Sequence, residues 1–436
     1  MQNEPENNAK SQSSQRHTRR QESGRMLGFA FLVHVAIIAA WYTRFVPDLR
    51  LASRVNQLKP SPTLAITARA MAMRAQGQDV ISFAAGEPDF QTPQPIIDAA
   101  EKAIKDGYTK YTAGRGLMEL REVVAEKFNR ENQIPACAKD TIITCGAKHA
   151  LFDTLMALVN PGDEVIVLAP FWSTYSDQVH VCGGIPVYVD ATLENSFIPD
   201  LGQIEAAITP RTSLIMACSP NNPSGAVWPR EIIQGIAEIA VRHKLWILSD
   251  EVYEKLVYEG EHVSFASLGQ EVYDQTITVG SCSKTFSMTG WRIGYLSGPS
   301  RAVDAIANVQ DTISHPTSFA MKAAVTAFSM LDEDTRWMKE AFEKRRDLMY
   351  RLVCEIPGVK AYLPPGAFYI FADFSAHLGE KGANDMELAE TLLVKAGVAV
   401  IPGAVFHSPG FLRLSYAASE EDISRGMTRI ADALRT

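Results

Sequence analysis

The stretch Thr276-Ile-Thr-Val-Gly-Ser-Cys-Ser-Lys-Thr-Phe-Ser-Met-Thr-Gly-Trp-Arg292 joins a short apolar run to a loop rich in small residues. The run Thr276–Val279 is β-branched and apolar, which is typical of a strand covered on both faces. Lys284 follows it closely, and a lysine that attacks an aldehyde needs such a rigid base and a lowered pKa. Taken alone, however, a lysine in a Ser/Thr-rich loop is more often a plain surface residue. Motifs elsewhere in the chain are needed to distinguish a catalytic lysine from a surface one.

Similar apolar runs alternate with helical patterns along the chain, and this alternation predicts an α/β fold with a mostly parallel sheet. After about residue 330 a long amphipathic helix and shorter elements indicate a smaller α+β domain. We therefore expect residues 96–330 to form a large domain, and residues 51–95 with 331–436 to form a small one. The strand-like runs are Asp140–Thr144, Glu164–Leu168, Pro186–Val189, Ser213–Ala217 and Leu245–Leu248, and the helical patterns are Pro95–Asp106, Leu117–Glu131, Lys148–Leu158 and Arg230–Arg242.

The composition is that of an ordinary globular protein, with 436 residues, 46% hydrophobic residues and a net charge of −8. An acidic chain argues against nucleic acid as the main partner. The six cysteines form no Cys-x-x-Cys pair and no Cys/His cluster with zinc spacing. This pattern predicts reduced thiols, a cytoplasmic location and no metal site.

Residues 1–50 differ from the rest of the chain. Residues 1–25 are polar, whereas Met26–Tyr42 is almost entirely apolar and has the length of a minimal membrane span. The arginines before this run would place the folded part outside the cytoplasm, where unpaired thiols are disfavoured. No small-residue cleavage site follows, and the acidic residues are atypical of a transit peptide. We expect a leader outside the fold, with a membrane anchor or a targeting segment as the alternatives.

Two polar motifs follow predicted strands, at the edge where parallel sheets bind ligands. Asp250, in Ser249-Asp-Glu-Val-Tyr253, could pair with a protonated pyridine nitrogen, although a helix N-cap fits it equally well. Asn222, in Ser219-Pro-Asn-Asn-Pro-Ser-Gly225, could donate to a phenolic oxygen on the same ring, although a plain turn uses the same residues.

Three further positions suggest contacts with a ligand. Cys145-Gly-Ala-Lys-His149 is a small-residue turn into a helix, which is a ready phosphate site. Trp172 could stack on a planar ring, although a tryptophan packed in the core is commoner. Arg413 lies in an apolar strand and needs either a carboxylate ligand or an internal salt bridge.

Each signal is modest, but their order along the chain is specific. In these motifs the sequence resembles the class I, fold-type-I aminotransferases that depend on pyridoxal 5′-phosphate (PLP). The resemblance runs from about Leu51 to the C-terminus and is greatest to bacterial aspartate and aspartate/prephenate aminotransferases. One departure is Asn-Pro-Ser-Gly at 222–225, where Asn-Pro-Thr-Gly is common. Further matching motifs are Gly86-Glu-Pro-Asp-Phe90, Tyr108-Thr-Lys-Tyr111, Pro161-Gly-Asp-Glu-Val165 and Gly366-Ala-Phe-Tyr369.

The resemblance implies a role for each of these residues. Lys284 would form the Schiff base with PLP and carry the proton, Asp250 would pair with the pyridine nitrogen, and Trp172 would stack on the ring. Asn222 and Tyr253 would contact the phenolic oxygen of the ring. The phosphate would be held by Gly146, Ala147, Ser281, Ser283 and Arg292, with Tyr111 from the neighbouring subunit of a homodimer. Arg413, Asn222 and Gly86 would surround the substrate α-carboxylate.

The implied reaction moves an amino group between an amino acid and a 2-oxo acid with ping-pong kinetics. Lys148 and Thr63 match positions that contact the distal carboxylate in the aspartate/prephenate group, and Lys59 also fits that group. We therefore expect aspartate and glutamate as substrates. One alternative is an aminotransferase that prefers aromatic amino acids, alanine or prephenate, and another is a PLP-dependent lyase on the same fold. Lys148 itself could instead be an ordinary solvated lysine at the start of a helix. A PLP-sensing transcription regulator is disfavoured, because 50 preceding residues are too few for its DNA-binding helices.

Overall fold

The structure is a computed structural model that describes residues 50–58 and 62–435. The predictions for residues 1–49, including the apolar run Met26–Tyr42, and for Lys59 lie outside these ranges. Within them, no helix is both long enough and apolar enough to cross a membrane.

Seven of the strands form a central sheet in the order β2-β8-β7-β6-β5-β3-β4. The strands from β7 to β4 are parallel, and β8 runs antiparallel to both β2 and β7. The predicted α/β class with a mostly parallel sheet is thus confirmed. The strands are β1 Ile81–Ser82, β2 Thr141–Thr144, β3 Glu164–Ala169, β4 Ile185–Asp190, β5 Thr212–Cys218, β6 Trp246–Asp250, β7 Thr276–Ser281, β8 Gly294–Ser297, β9 Tyr369–Asp373, β10 Val398–Ala399, β11 Ile401–Pro402 and β12 Phe411–Ser415.

Helices follow most of the strands and cover the central sheet. They are α1 Pro62–Ala75, α2 Gln94–Lys105, α3 Met118–Asn132, α4 Ala147–Leu158, α5 Thr174–Val181, α6 Leu201–Ala206, α7 Arg230–His243, α8 Gln270–Tyr273, α9 Cys282–Thr285, α10 Ser300–Ile313, α11 Ser318–Ser329, α12 Asp332–Cys354, α13 Asp385–Thr391 and α14 Glu420–Arg435.

The apolar runs form strands because both faces of the sheet are covered. In β3, Val165 and Val167 pack in one cluster with residues of α4 and α10. The alternate residues Ile166 and Leu168 pack in a second cluster, with residues of α7. Full burial of each such side chain stabilises the fold by about 1.5–3 kcal/mol. The strand ends, and the polar residues on them, are therefore held at a well-packed edge.

A second, antiparallel sheet in the order β11-β12-β9 lies in the last quarter of the chain, and β1 pairs with β10. Arg413, at the centre of β12, is paired in register with Ile401 and Phe371. This places a guanidinium group on a strand whose neighbours are apolar. The division into domains at residues 96–330 and at 51–95 with 331–436 remains a prediction.

Two of the differences from the sequence-based expectations concern strands beside the site. Strand β8 was not predicted, because Gly294-Tyr-Leu-Ser297 is short and starts with glycine; it is placed by pairing with β2 and β7. Strand β6 continues past Leu248 to Asp250, because the Cys218, Asp250 and Val279 backbones pair across three strands.

Candidate active site

The predicted site residues meet at the carboxyl ends of β5, β6 and β7, around a cavity of about 280 Å³. Gly146 is not part of the cavity lining but adjoins Ala147, which is. Tyr111 lies elsewhere and is fully exposed. The lining includes Thr63, Gly86, Ala147, Lys148, Trp172, Asn222, Asp250, Tyr253, Ser281, Ser283, Lys284, Arg292 and Arg413.

Lys284 lies in the short helix α9, directly after β7. The hydroxyl of Ser281 caps this helix by accepting a hydrogen bond from Ser283 N at 3.0 Å. The Nζ atom donates to the carbonyl oxygen of Gly86. The side chain borders the cavity but is otherwise surrounded by protein. This burial lowers the pKa of Lys284 to about 8, although the negative charge of Glu87 acts to raise it. The amine is therefore closer to its neutral, nucleophilic form than an ordinary lysine.

Asp250 is the last residue of β6 and is almost completely buried. Tyr175 donates its hydroxyl to Oδ2 at 2.6 Å, and Val252 N lies 3.4 Å from Oδ1. Burial raises the pKa of Asp250 to about 6. A carboxylate in this setting is satisfied best by a cation or a strong donor in the cavity.

Two tyrosines of the site were not assigned a role from the sequence. Tyr175 lies three residues after Trp172, at the start of α5, and its ring packs edge-on at 5.7 Å from the tryptophan ring. Tyr369 shares a hydrogen bond of 2.8 Å with the hydroxyl of Tyr253. The spacing from Trp172 and the motif Gly366–Tyr369 were the available signals for these two residues.

The turn before α4 has the properties of an anion site. Gly146 has φ +82°, and a Cβ atom there would lie 2.3 Å from Arg292 Nη2. Arg292 donates to the carbonyl oxygens of Cys145 at 3.1 Å and Thr289 at 2.8 Å. The hydroxyls of Ser281 and Ser283 are hydrogen-bonded to each other beside it. These donors, together with the N-terminus of α4, suit a phosphate group.

Arg413 is 2% exposed. Its Nη1 donates to Asn222 Oδ1 at 3.0 Å and its Nη2 to Ala84 O at 2.9 Å, while Nε has no hydrogen-bond partner. Its guanidinium carbon lies 4.4 Å from the centroid of the Tyr369 ring. No carboxylate of the described residues pairs with it, so the internal salt bridge considered above is absent there. The group has unused capacity for a carboxylate ligand.

Lys148 lies in the first turn of α4, with its Nζ 4.8 Å from the centroid of the Trp172 ring. Burial and the nearby charge of Arg292 lower the pKa of Lys148. Thr63, in α1, lines the same cavity. The structure thus brings together the two described residues that were predicted to contact a distal carboxylate.

Comparison with known proteins gives one consistent result. The family model for aminotransferase class I and II matches residues 78–430. A probable aspartate/prephenate aminotransferase of Thermus aquaticus is 44% identical over 390 residues, covering 88% of this chain and 99% of that protein. The aspartate aminotransferase of Bacillus subtilis is 42% identical over 385 residues, covering 88% and 98%.

Solved structures agree with these sequence matches. The aspartate aminotransferase of Thermus thermophilus with maleate superposes with a TM-score of 0.84 at 42% identity, covering 88% of this chain and all of that one. The aspartate aminotransferase of Rhizobium meliloti gives a TM-score of 0.85 at 40% identity, covering 89% and 99%.

Proposed function

This chain belongs to the class I and II aminotransferase family, and on that premise we propose that it moves the amino group of aspartate or glutamate to a 2-oxo acid. It is a PLP-dependent transferase whose substrates are amino acids and 2-oxo acids. The resemblance stated from the motifs is confirmed at the level of family, fold and cofactor. The roles of individual residues and the choice of acidic substrates are our proposals.

The observation that carries the proposal is the charge of the cavity. Lys148, Lys284, Arg292 and Arg413 line it, and Asp250 is the one carboxylate among the described lining residues. Cations gathered around one cavity repel each other and are stabilised by anionic ligands. Because Asp250 would pair with the protonated ring nitrogen of PLP, a phosphate dianion and two carboxylates would balance the four cations, which favours a dicarboxylic substrate over an apolar one.

The residues present fit PLP. Asp250 is a buried acceptor for a protonated ring nitrogen, Lys284 can bind an aldehyde, and Arg292 with the Gly146 turn can hold a phosphate. When bound, PLP supplies an electron-accepting ring that stabilises negative charge at the substrate α-carbon. Trp172 is placed at the cavity wall, where its ring can stack on that of the cofactor.

The protein groups divide the remaining work. Arg413, oriented by Asn222, would bind the substrate α-carboxylate in a bidentate manner and so fix the position of the α-proton. The Nζ of Lys284, with its lowered pKa, would accept that proton and return it on the other side of the amino nitrogen, at the carbon that the PLP aldehyde supplies. Tyr175 would hold Asp250 in position through its hydroxyl.

Profiling of amino donors and oxo-acid acceptors tests the proposal. Ping-pong kinetics with aspartate or glutamate, and formation of the matching 2-oxo acid, are expected. Release of ammonia from a single amino acid without an acceptor would instead identify a lyase and refute transamination.

We predict that Lys148→Ala raises the KM for aspartate and glutamate and lowers their kcat/KM about ten- to a hundredfold, because a charge-assisted hydrogen bond is lost. Steady-state kinetics with an apolar or aromatic donor serve as the internal control, since these have no distal carboxylate. Equal losses for acidic and neutral donors would mean that Lys148 serves the cofactor or the fold.

We also predict that Tyr111→Phe weakens PLP retention without unfolding the protein. Tyr111 is fully exposed in one subunit, and we propose that its hydroxyl reaches the phosphate of a neighbouring subunit in a homodimer. Retention is measured by dialysis and absorbance, and assembly by sedimentation. Tyr108→Phe is the matched control in the same segment, because the Tyr108 ring already packs under Lys322. A fully active monomer at assay concentration would contradict the prediction.

A further inference from the structure

The turn that precedes α4 is held from two sides through Cys145. The backbone N–H of Cys145 donates to His149 Nδ1 at 3.2 Å. The carbonyl oxygen of the same residue accepts from Arg292 Nη2 at 3.1 Å. The peptide units on both sides of Cys145 are therefore fixed by side chains, immediately before Gly146 and the N-terminus of the helix.

The contact with Cys145 fixes the tautomer of His149. Because Nδ1 accepts a hydrogen bond, the ring proton must be on Nε2. One turn further along α4, Asp153 Oδ1 lies 3.3 Å from that Nε2 atom. The Asp153 side chain is completely buried, and neither of its oxygens nor His149 Nε2 has a hydrogen-bond partner elsewhere among the described residues. Each group is thus the nearest means of satisfying the other.

We propose that Asp153 and His149 are positioning residues that hold the Cys145–Gly146 turn in the shape that binds the PLP phosphate, and that they make cofactor retention weaken in acid. This inference rests on the proposed placement of the phosphate at that turn. Neither residue lines the cavity. Their effect on PLP is transmitted through the backbone of Cys145, so they do not act as catalytic residues.

Protonation of either group acts against the acceptor that Cys145 uses. If His149 gains a second proton, Nδ1 becomes a donor facing the N–H of Cys145. If Asp153 becomes protonated, its buried hydroxyl competes for Nε2 as an acceptor. When it donates there, the ring proton moves to Nδ1 with the same result, whereas a ring that keeps its Nε2 proton keeps the contact with Cys145.

Two shifts in pKa define the pH range of this effect. Burial lowers the pKa of His149, and burial raises the pKa of Asp153 to about 7. The contact with Cys145 is therefore intact above about pH 7 and weakens progressively as the pH falls below it. The other groups acting on the pair are His315, which lowers the pKa of His149 and is itself paired with Asp311, Arg292 at Cys145, and the thiols of Cys145 and Cys182 beside Asp153.

The test is a titration of the apoprotein with PLP between pH 5.5 and 8.5, followed by absorbance, for the wild type and His149→Gln. Glutamine offers an amide oxygen that can accept from Cys145 but does not titrate. Between the alkaline and acid ends, PLP affinity of the wild type should fall about three- to tenfold more than that of the variant, the effect of one backbone hydrogen bond. The phosphate resonance in ³¹P NMR gives a second readout that is independent of turnover.

Asp153→Asn provides a second variant should His149→Gln fold poorly. Asparagine keeps an oxygen for Nε2–H but cannot be protonated, so the loss of affinity should move to lower pH, where His149 alone titrates. Parallel pH profiles for the wild type and both variants would overturn the inference, whatever happens to their melting temperatures. Arg292→Ala separates this result from a failure of the proposed site, because it should weaken PLP binding at every pH. Unchanged affinity in that variant would refute the placement of the phosphate itself.

Discussion

Replacing Lys284 with alanine should lower turnover by about 10⁴-fold or more, because one substitution removes both the nucleophile and the proton carrier. Its Nζ is the amine whose pKa burial lowers to about 8, and it borders the same cavity as Asp250 and Arg413. PLP should still bind weakly, because the proposed phosphate and ring contacts remain. Single-turnover measurements of each half-reaction, with absorbance to quantify the bound cofactor, would determine the loss.

Lys284→Arg is the matched control for charge. Arginine keeps a cation in the cavity but does not supply a neutral amine near neutral pH. It should therefore be as inactive as the alanine variant and, since it cannot form the Schiff base either, should bind PLP weakly as well, while its melting temperature changes little. Turnover within tenfold of the wild type in either variant would show that another residue carries the proton.

Lys127→Ala should destabilise the fold by about 3–5 kcal/mol, the cost of leaving a buried carboxylate without its cation. The side chain of Lys127 is 4% exposed, and Nζ donates to Glu254 and, at 2.7 Å, to Asn132. Glu251 lies beside them and pairs with His262 at 2.9 Å. The ligand atoms of Glu251, Glu254 and His262 lie within 4.8 Å of one another, and the ammonium group of Lys127 is a cation bound at this cluster.

The destabilisation should depend on pH in a defined direction. Burial alone would raise the pKa of Glu254, but the charges of Lys127 and His262 outweigh it and hold this pKa below its usual value. In the wild type the ionised Glu254 therefore stabilises the fold above its unfolded pKa, and this contribution is lost as the pH falls through the folded pKa. Without Lys127 the carboxyl group of Glu254 would protonate more readily. The loss of unfolding free energy, relative to the wild type, should therefore be largest near pH 7 and shrink towards about pH 5.

Denaturant unfolding at several pH values would measure this effect. Lys322→Ala is the matched control, because its pair with Glu119 is partly exposed and is worth only about 0–1 kcal/mol. A loss for Lys127→Ala no larger than that of the control would contradict the assignment of a buried charge cluster.

The sequence predicted the site residues that follow strands, because the carboxyl ends of parallel strands meet at one edge. It selected Asp250 through its motif and the family resemblance, because strand position alone does not say which of the adjacent acids Asp250 and Glu251 enters the cavity. Successive side chains at a strand end point to opposite faces, and only the fold shows that Asp250 borders the cavity whereas Glu251 meets Ser264 and His262.

Local sequence patterns also could not predict contacts between segments that are far apart in the chain. Nothing in the helical pattern around Tyr175 indicates that its hydroxyl reaches Asp250, 75 positions later. In the sequence, Lys127 has the pattern of an ordinary exposed lysine on a helix. Only the fold shows that α3 packs against the turn that carries Glu254, 127 positions away. These contacts depend on tertiary packing, which propensity and periodicity do not encode.

The four cations around one carboxylate have a consequence for how substrates reach the site. The chain as a whole carries a charge of −8, so a dianion approaching from bulk solution is met by weak repulsion rather than attraction. At physiological salt this field decays within about 8 Å, the screening length for exposed charges. Attraction therefore begins only at the mouth of the cavity, where Lys148 and Arg292 are exposed, whereas Lys284 and Arg413 are more deeply buried. The protein therefore attracts its substrate only close to the cavity. Inorganic anions at the concentrations found in cells compete with the substrate at the same short range.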